Sequence, residues 1–186
     1  MNEPYYPPLS ILTEEQKNKY TSDLKELELY FKREFNFPIY LMYGTLLGAI
    51  RDKDYIPHDT DVDVGYLSSF NKEEDVLAER LELINKLEDN KILRWRKTSG
   101  IKIKFNDNDF DVWTSWINEN NKYTIIPLSD LGEKDVIVPF KTITFRGIEF
   151  SVPQKSEELL DKIYINWKVP LTEKYFKPNR KFRLPT

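Results

Sequence analysis

The sequence predicts a single domain of the α/β (α+β) class, in which helices flank a mixed β-sheet. Two observations carry this prediction. Apolar residues recur at helical spacing in three segments, and elsewhere they alternate with polar residues as in half-exposed strands. The chain has 186 residues, 40% of them hydrophobic, without an internal repeat or a linker. It therefore suits one domain, residues 1–186, with a substantial core.

The helices and strands are predicted in chain order from these patterns. A proline-rich, extended arm over residues 1–12 precedes a helix that begins at the capping box Thr13–Gln16 and ends at Asn36–Pro38. The next elements are a buried strand at Ile39–Tyr43, a turn at Gly44–Thr45, a short helix at Leu46–Ile50 and a strand at Asp61–Leu67. A second long helix is predicted to start within Ser68–Glu74. The residues on its buried face are Val76, Leu77, Leu81, Ile84 and Leu87.

From Ile92 onwards the apolar pattern has a period of two, which is typical of strands. The predicted strands are Ile92–Arg96, Gly100–Phe105, Phe110–Trp116, Lys122–Pro127, Val136–Pro139 and a hairpin over Thr142–Phe150. A last helix is predicted at Ser156–Trp167, and a basic tail follows over residues 170–186. Five basic residues of that tail are expected to be either exposed to solvent or in contact with a phosphorylated acceptor or an anionic membrane surface. They are Lys174, Lys177, Arg180, Lys181 and Arg183.

The composition excludes several classes of protein. The chain has 28 basic and 31 acidic residues, whereas a general nucleic-acid binder is strongly basic, so nucleic acid is not expected as a partner. Cysteine is absent, which excludes disulfides and thiolate metal sites. No apolar run has the length of a transmembrane helix, and the N-terminus lacks the features of a signal peptide. We therefore expect a cytoplasmic protein without a transmembrane segment, for which peripheral membrane contact stays open.

Two aspartates on one predicted strand are the strongest sign of a function. Asp61 and Asp63 alternate with valines, and residues two apart on a strand share a face, about 7 Å apart at the backbone. A solvated edge strand is the alternative, but such strands favour Thr, Lys and Glu over paired Asp. The pair predicts a site for a hard divalent cation, Mg²⁺ or alternatively Mn²⁺.

A third carboxylate is expected from the strand that begins near Phe110. Asp111 lies in an apolar run, where burial without a partner costs several kcal/mol or forces protonation. Asp109 is on the same strand face and is the competing candidate, although its place beside Asn108 favours a turn-capping role. We expect Asp111 to be the third metal ligand and leave Asp109 open.

The turn at Gly44 and Thr45 predicts an anion site. A helix that begins there directs free N–H groups and the positive end of its dipole towards a bound phosphate. The alternative is an ordinary strand-to-helix turn. Arg51, at the end of that helix, can hold a phosphate bidentately. Its alternative role is an ion pair with Asp59 or Asp52.

The central motif resembles a known family. Tyr43-Gly-Thr-Leu-Leu-Gly-Ala-Ile-Arg51 with Tyr55-Ile-Pro-His-Asp-Thr-Asp-Val-Asp63 is similar to the LicD/fukutin family of phosphocholine and sugar-alcohol-phosphate transferases, in the nucleotidyltransferase superfamily. The family pattern has Trp where this chain has His58 and Asp where it has Thr60. A looser similarity continues to residue 170.

The resemblance implies a nucleotidyltransferase-like fold and a Mg²⁺-dependent transferase. Such an enzyme would move a phosphocholine-like group from a CDP-alcohol-like donor to a hydroxyl of a glycan, sugar or glycolipid. The resemblance places Asp61, Asp63 and Asp111 at the metal, with Asp111 as general base, and Gly44, Thr45, Arg51, Asp59 and His58 at the donor. Asp59 would orient Arg51 or a metal-bound water, and His58, the single histidine of the chain, would stack on a substrate. The alternatives are a nucleotidyltransferase that uses an NTP on a small molecule, a protein or RNA with release of pyrophosphate, and a non-catalytic nucleotide-binding module.

Overall fold

The fold is described from a computed structural model that covers residues 8–96, 100–126 and 130–170. Its helices are α1 (Glu14–Phe35), α2 (Tyr43–Arg51), α3 (Glu73–Asp89) and α4 (Ser156–Ile163), with short 3-10 helices at Leu9–Ile11 and Lys134–Val136. Its strands are β1 (Ile39–Leu41), β2 (Asp63–Leu67), β3 (Leu93–Arg96), β4 (Ile101–Phe105), β5 (Asn108–Ile117), β6 (Tyr123–Ile125), β7 (Lys141–Phe145) and β8 (Ile148–Val152).

A six-stranded mixed sheet organises these elements. The strand order is β1-β2-β5-β4-β3, and β6 pairs with the far end of β5. Strands β2 and β5 are parallel, whereas the other pairings in the sheet are antiparallel. A parallel pair needs a long crossover, which α3 and the β3–β4 hairpin supply. Strands β7 and β8 form a separate hairpin. The predicted mixed sheet flanked by helices is confirmed.

Helix α1 forms as its sequence predicts. Thr13 and Gln16 make the reciprocal hydrogen bonds of a capping box, and Asn36 ends the helix in the left-handed conformation. Its apolar face packs against β1 and β8, and the buried residues include Tyr20, Leu24, Leu27 and Phe31. None of the helices within the described ranges is both long and apolar enough to cross a membrane.

Helix α3 exposes two leucines that were predicted to be buried. Leu77 is 47% exposed and Leu81 54%, so the predicted inward face was wrong at both positions. Arg80 is buried instead, and its Nε donates to Thr114 Oγ1 at 3.0 Å. The buried face of α3 includes Val76, Arg80, Leu83, Ile84 and Leu87, which recur at helical spacing. Arg80 can be buried among apolar residues because Thr114 of β5 accepts its hydrogen bond.

Several predicted boundaries also differ from the structure. The strand expected at Val136–Pro139 is wrong, because the chain forms the 3-10 helix Lys134–Val136 there. The last helix ends at Ile163 rather than at Trp167. The extended arm gives way to a 3-10 helix at Leu9–Ile11. The basic tail after Pro170 lies outside the described residues.

Two boundary differences bear directly on the predicted site. Helix α2 begins at Tyr43, so Gly44 and Thr45 belong to its first turn instead of preceding it. Strand β2 begins at Asp63, which places Asp61 just before the strand. Parallel pairing nevertheless reaches this segment, since the Asp111 N–H donates to the Val62 carbonyl at 3.0 Å.

Candidate active site

Three carboxylates converge where the parallel strands β2 and β5 begin to pair. Asp63 lies opposite Asp111 in the strand register, and Asp61 precedes Asp63 by two residues. One carboxylate oxygen from each of the three lies within 4.8 Å of the others. Asp63 is 3% exposed and Asp111 8%, whereas Asp61 is half-buried. The structure thus brings together the three residues that the sequence predicted as metal ligands.

The Asp63 carboxylate is held by donors on both of its oxygens. Trp113 Nε1 donates to Oδ1 at 2.9 Å, and the Gly44 N–H donates to Oδ2 at 3.3 Å. The Asp63 N–H in turn donates to the Thr45 hydroxyl at 2.8 Å. The sequence assigned the Gly44 N–H and the Thr45 hydroxyl to a phosphate, whereas the structure shows both bonded to Asp63. Their expected role at the donor stays a prediction.

Asp59 lies directly against the first turn of α2. A Cβ atom placed on Gly44 would come within 2.0 Å of Asp59 Oδ2. The Asp59 N–H donates to the Ile56 carbonyl at 3.0 Å, and its own carbonyl accepts from the Leu9 N–H at 2.6 Å. The absence of a side chain at position 44 therefore makes room for the Asp59 carboxylate beside the metal-ligand candidate Asp63.

Asp111 shares its site with a buried lysine that the sequence analysis missed. Lys102 Nζ is 3.1 Å from Asp111 Oδ1, and Lys102 is 3% exposed. Burial raises the pKa of Asp111 well above its usual range; the Lys102 charge lowers this pKa, and the charges of Asp63 and Asp61 raise it. The sequence predicted half-exposed basic positions on β4, and this was wrong for Lys102, because β4 lies inside the sheet.

Asp109 does not join the three carboxylates. Its Oδ1 is 3.4 Å from Arg94 Nε, and its backbone carbonyl accepts a short hydrogen bond from the Tyr20 hydroxyl. In the register Asp109 lies opposite Lys104, two positions from the Lys102–Asp111 pair. Of the two candidates left open by the sequence, the structure places Asp111 in the cluster.

Arg51 makes the ion pair that was its alternative role. Its Nε and NH2 groups donate to the two carboxylate oxygens of Asp52 at 2.7 and 2.6 Å, and NH1 donates to the Trp167 carbonyl at 3.0 Å. His58 is half-buried, and burial together with the Arg51 charge lowers its pKa. Both effects favour the neutral form of the ring, and the stacking of His58 on a substrate stays a prediction.

The family of the chain follows from a sequence comparison. Residues 36–155 match the family LicD/FKTN/FKRP, nucleotidyltransferase domain. The chain belongs to this family. The match includes every strand of the sheet and all three carboxylates, and it confirms both the resemblance drawn from the central motif and the expectation of a transferase. No match was found among curated proteins.

Two solved structures show weak similarity to this LicD-family chain. The antibiotic-resistance factor ANT(2'')-Ia is 14% identical with a TM-score of 0.48, over 74% of this chain and 66% of that one. A STING-associated CdnE c-di-GMP synthase from Capnocytophaga granulosa is 17% identical with a TM-score of 0.43, over 59% of this chain and 39% of that one. This chain therefore spans less than two thirds of either protein's length, and no functional conclusion is drawn from these similarities.

The carboxylate cluster fits a divalent cation. Its ligand atoms are all oxygens, as Mg²⁺ and Mn²⁺ prefer. Neighbouring oxygen ligands of Mg²⁺ lie about 3 Å apart and opposite ones about 4.2 Å apart, so oxygens within 4.8 Å of one another would move closer together around a bound ion. The hydrogen bonds to Asp63 orient this ligand in advance, as outer partners do in metal sites.

Trp113 is expected to act on metal binding through Asp63. Trp113→Phe keeps a ring that can pack edge-to-face against Tyr43 but removes the N–H donor. We expect the affinity for Mg²⁺, measured by titration calorimetry, to fall by about 10–100-fold. The control is Trp116→Phe at the other end of β5, opposite Thr124, which should bind Mg²⁺ as the wild type does. Equal affinities in both variants would show that this hydrogen bond does not orient the ligand.

Proposed function

We propose that this LicD-family domain transfers a phosphocholine-like phospho-alcohol group from a CDP-alcohol-like donor to a hydroxyl of a sugar, glycan or glycolipid. Asp61, Asp63 and Asp111 would hold the Mg²⁺ ion that the reaction needs. The observation that carries the proposal is the convergence of these three carboxylates in a chain of this family. Cytoplasmic location and the identity of the alcohol belong to the same proposal.

Each part of the site has a task in this reaction. Asp61, Asp63 and Asp111 would hold a divalent cation, which would neutralise the charge that develops on the donor phosphates. Asp63, fixed by Trp113 and Gly44, holds its ligand oxygen in place. The Asp111 carboxylate accepts the proton of the acceptor hydroxyl, whose oxygen attacks the phosphorus of the phospho-alcohol. The bond to the nucleoside monophosphate breaks, and CMP leaves when the donor is a CDP-alcohol.

Asp111 has a feature that suits a base. Its Oδ1 is buried and makes no hydrogen bond to any of the described residues, although it forms an ion pair with Lys102. An oxygen with unused accepting capacity can accept a further hydrogen bond, and the site would have to open for the acceptor hydroxyl to reach this buried oxygen. The burial that raises the pKa of Asp111 also makes its ionised form a stronger base.

The donor class is tested by thermal unfolding and by the product released. With Mg²⁺ present, we expect CDP-choline to raise the melting temperature more than CTP does. A donor that binds only the native state adds about 2.7 kcal/mol to the free energy of unfolding at a hundredfold excess over its dissociation constant. CMP should be released on turnover, and EDTA should abolish both effects.

The alternative reaction uses the same metal site. A nucleotidyltransferase would take an NTP, attach the nucleotide to a small molecule, a protein or RNA, and release pyrophosphate. This reaction is favoured by the family of the chain, since residues 36–155 match a nucleotidyltransferase domain. A melting shift with NTPs alone, together with pyrophosphate release, would establish it and overturn the CDP-alcohol proposal. Binding of nucleotide without any turnover would leave only a nucleotide-binding module.

A further inference from the structure

Four residues form a row across four neighbouring strands of the sheet. In the strand register Trp95 of β3 lies opposite Lys102 of β4, Lys102 opposite Asp111 of β5, and Asp111 opposite Asp63 of β2. Residues directly opposite each other on neighbouring strands share a face of the sheet. The backbone therefore fixes Lys102 on the face that carries the carboxylates, next to one of them.

The row holds Lys102 in a defined, dry position. Its side chain is 4% exposed, and its Nζ lies 3.1 Å from Asp111 Oδ1 and 5.7 Å from the centre of the Trp95 ring. A lysine is almost never this buried unless it is paired. The neighbouring residues on β4, Ile101 and Ile103, are fully buried and face the opposite side. Lys102 is thus the strand's buried charge on the side of the site.

Lys102 changes the charge that a metal ion encounters. When all three are ionised, the carboxylates within 4.8 Å of one another carry three negative charges, and their mutual repulsion is strong at low dielectric. One buried ammonium group leaves a net charge of minus two. This remainder is equal in magnitude and opposite in sign to the charge of a single divalent cation. Without a metal the ammonium group attracts the carboxylates, and with a metal it repels the ion.

We propose that Lys102 is the built-in counter-charge of the metal site: it holds Asp111 in position before the metal binds and weakens the binding of the metal. This inference rests on the proposed metal site. Lys102 is a positioning residue in this role, because it acts through Asp111 and not on the substrate. This role predicts two effects of opposite direction, which are not expected for a lysine that only stabilises the fold. Loss of the charge lowers stability without metal yet raises the affinity for metal.

The test replaces Lys102 by methionine, which keeps the length and the apolar stem of the side chain. Mg²⁺ alone is titrated into the full-length chain by calorimetry, and melting is followed with and without Mg²⁺. At a pH that keeps Asp111 ionised in both proteins, we expect Mg²⁺ to bind to this variant on the order of tenfold more tightly than to the wild type. The melting temperature without metal should fall by about 6 °C or more, because Asp111 loses its partner. The shift caused by Mg²⁺ should therefore be larger.

Two control variants separate charge from packing. Lys104→Met removes a lysine from the same strand whose side chain is 38% exposed and paired with Asp107; its affinity for Mg²⁺ should equal that of the wild type. Lys102→Arg keeps the positive charge and should not bind Mg²⁺ more tightly than the wild type. A rise in affinity in either control would overturn the inference, because the effect would then not follow the buried charge.

A second pair of variants decides the matter if Lys102→Met does not fold. Asp111→Asn is compared with Lys102→Met/Asp111→Asn, which contains neither charge of the buried pair. The double variant should bind Mg²⁺ more tightly than Asp111→Asn does, since the repelling ammonium group is gone. The inference is overturned if the double variant binds Mg²⁺ no more tightly than Asp111→Asn, or if Lys102→Met binds it no more tightly than the wild type. The metal site itself still stands in that case, provided that the wild type binds Mg²⁺. A wild type that binds no divalent cation overturns the metal site itself, and the inference with it.

Discussion

Asp61→Asn is expected to abolish turnover while leaving the metal-free protein at least as stable as the wild type. The three carboxylates repel one another, by about 3 kcal/mol for two charges about 5 Å apart at an effective dielectric of 20, and by less at the half-exposed Asp61. Deletion of one charge relieves this repulsion. Turnover should drop by several orders of magnitude (about 10³ or more), because neutralisation of the leaving group's charge is a dominant catalytic contribution.

Asp63→Asn should lose turnover equally but lower the melting temperature. Both carboxylate oxygens of Asp63 accept hydrogen bonds, from Trp113 Nε1 and from the Gly44 N–H. An asparagine side chain offers one accepting oxygen and one NH₂ group, so one donor must face another donor in a buried place. We expect a loss of about 1–3 kcal/mol in the free energy of unfolding, offset in part by the relief of repulsion.

Melting curves of the two variants with and without Mg²⁺, together with one turnover assay, test both expectations. The wild type should gain stability with Mg²⁺, and both variants should lose most of this gain at the same Mg²⁺ concentration. Asp109→Asn is the matched control, because its carboxylate pairs with Arg94 outside the cluster; it should keep the response to Mg²⁺. An Asp61→Asn variant that melts well below wild type and still responds to Mg²⁺ would remove Asp61 from the metal site.

The contrast between these variants shows what the sequence could and could not predict. The alternation of Asp61 and Asp63 with valines placed two carboxylates together, because that pattern is local to a few residues. This local pattern gave no reason to expect that Asp61 and Asp63 would respond differently to substitution. Their difference arises from Trp113, fifty residues away in the chain, and no local pattern contains a contact between distant strands.

Lys102 was missed for the same physical reason. Alternating apolar and basic residues are typical of a half-exposed strand, and Ile101 and Ile103 do point into the core. The burial of Lys102 depends on β4 lying between β3 and β5 and on its register opposite Asp111. Strand order and register are set by the whole sheet. The capping box, by contrast, involves two residues three positions apart, Thr13 and Gln16, and the sequence predicted it correctly.

Asp59 illustrates a residue for which family resemblance and structure give different information. The resemblance places Asp59 at the donor, where it would orient Arg51 or a water molecule. In the structure Arg51 pairs with Asp52, and the Asp59 carboxylate packs over Gly44. Its packing against Gly44 can be tested without any substrate, through its effect on the helix that carries Gly44 and Thr45.

Gly44→Ala is expected to destabilise the protein, against the usual effect of this change in a helix. In a helix interior alanine is more stable than glycine by about 0.5–1 kcal/mol, and Gly44 does not have a positive φ. Here the added methyl group would lie 2.0 Å from Asp59 Oδ2. We expect a loss of about 1–3 kcal/mol, as for other overpacked sites. A displaced Gly44 N–H should also weaken Mg²⁺ binding, by about tenfold, through Asp63.

A double-mutant cycle identifies the cause. Gly44→Ala/Asp59→Ala removes the clashing carboxylate, so Gly44→Ala should become neutral or stabilising in that background, with a coupling energy of at least about 1 kcal/mol. Gly44→Ala/Asp59→Asn keeps the volume of the side chain and removes only its charge, so it should stay destabilised. Unfolding by denaturant measures the free energy of unfolding of the wild type and of each variant, including Asp59→Asn alone. Additive effects of Gly44→Ala and Asp59→Ala, or recovery with Asp59→Asn, would show that steric contact with Asp59 is not the reason for glycine at position 44.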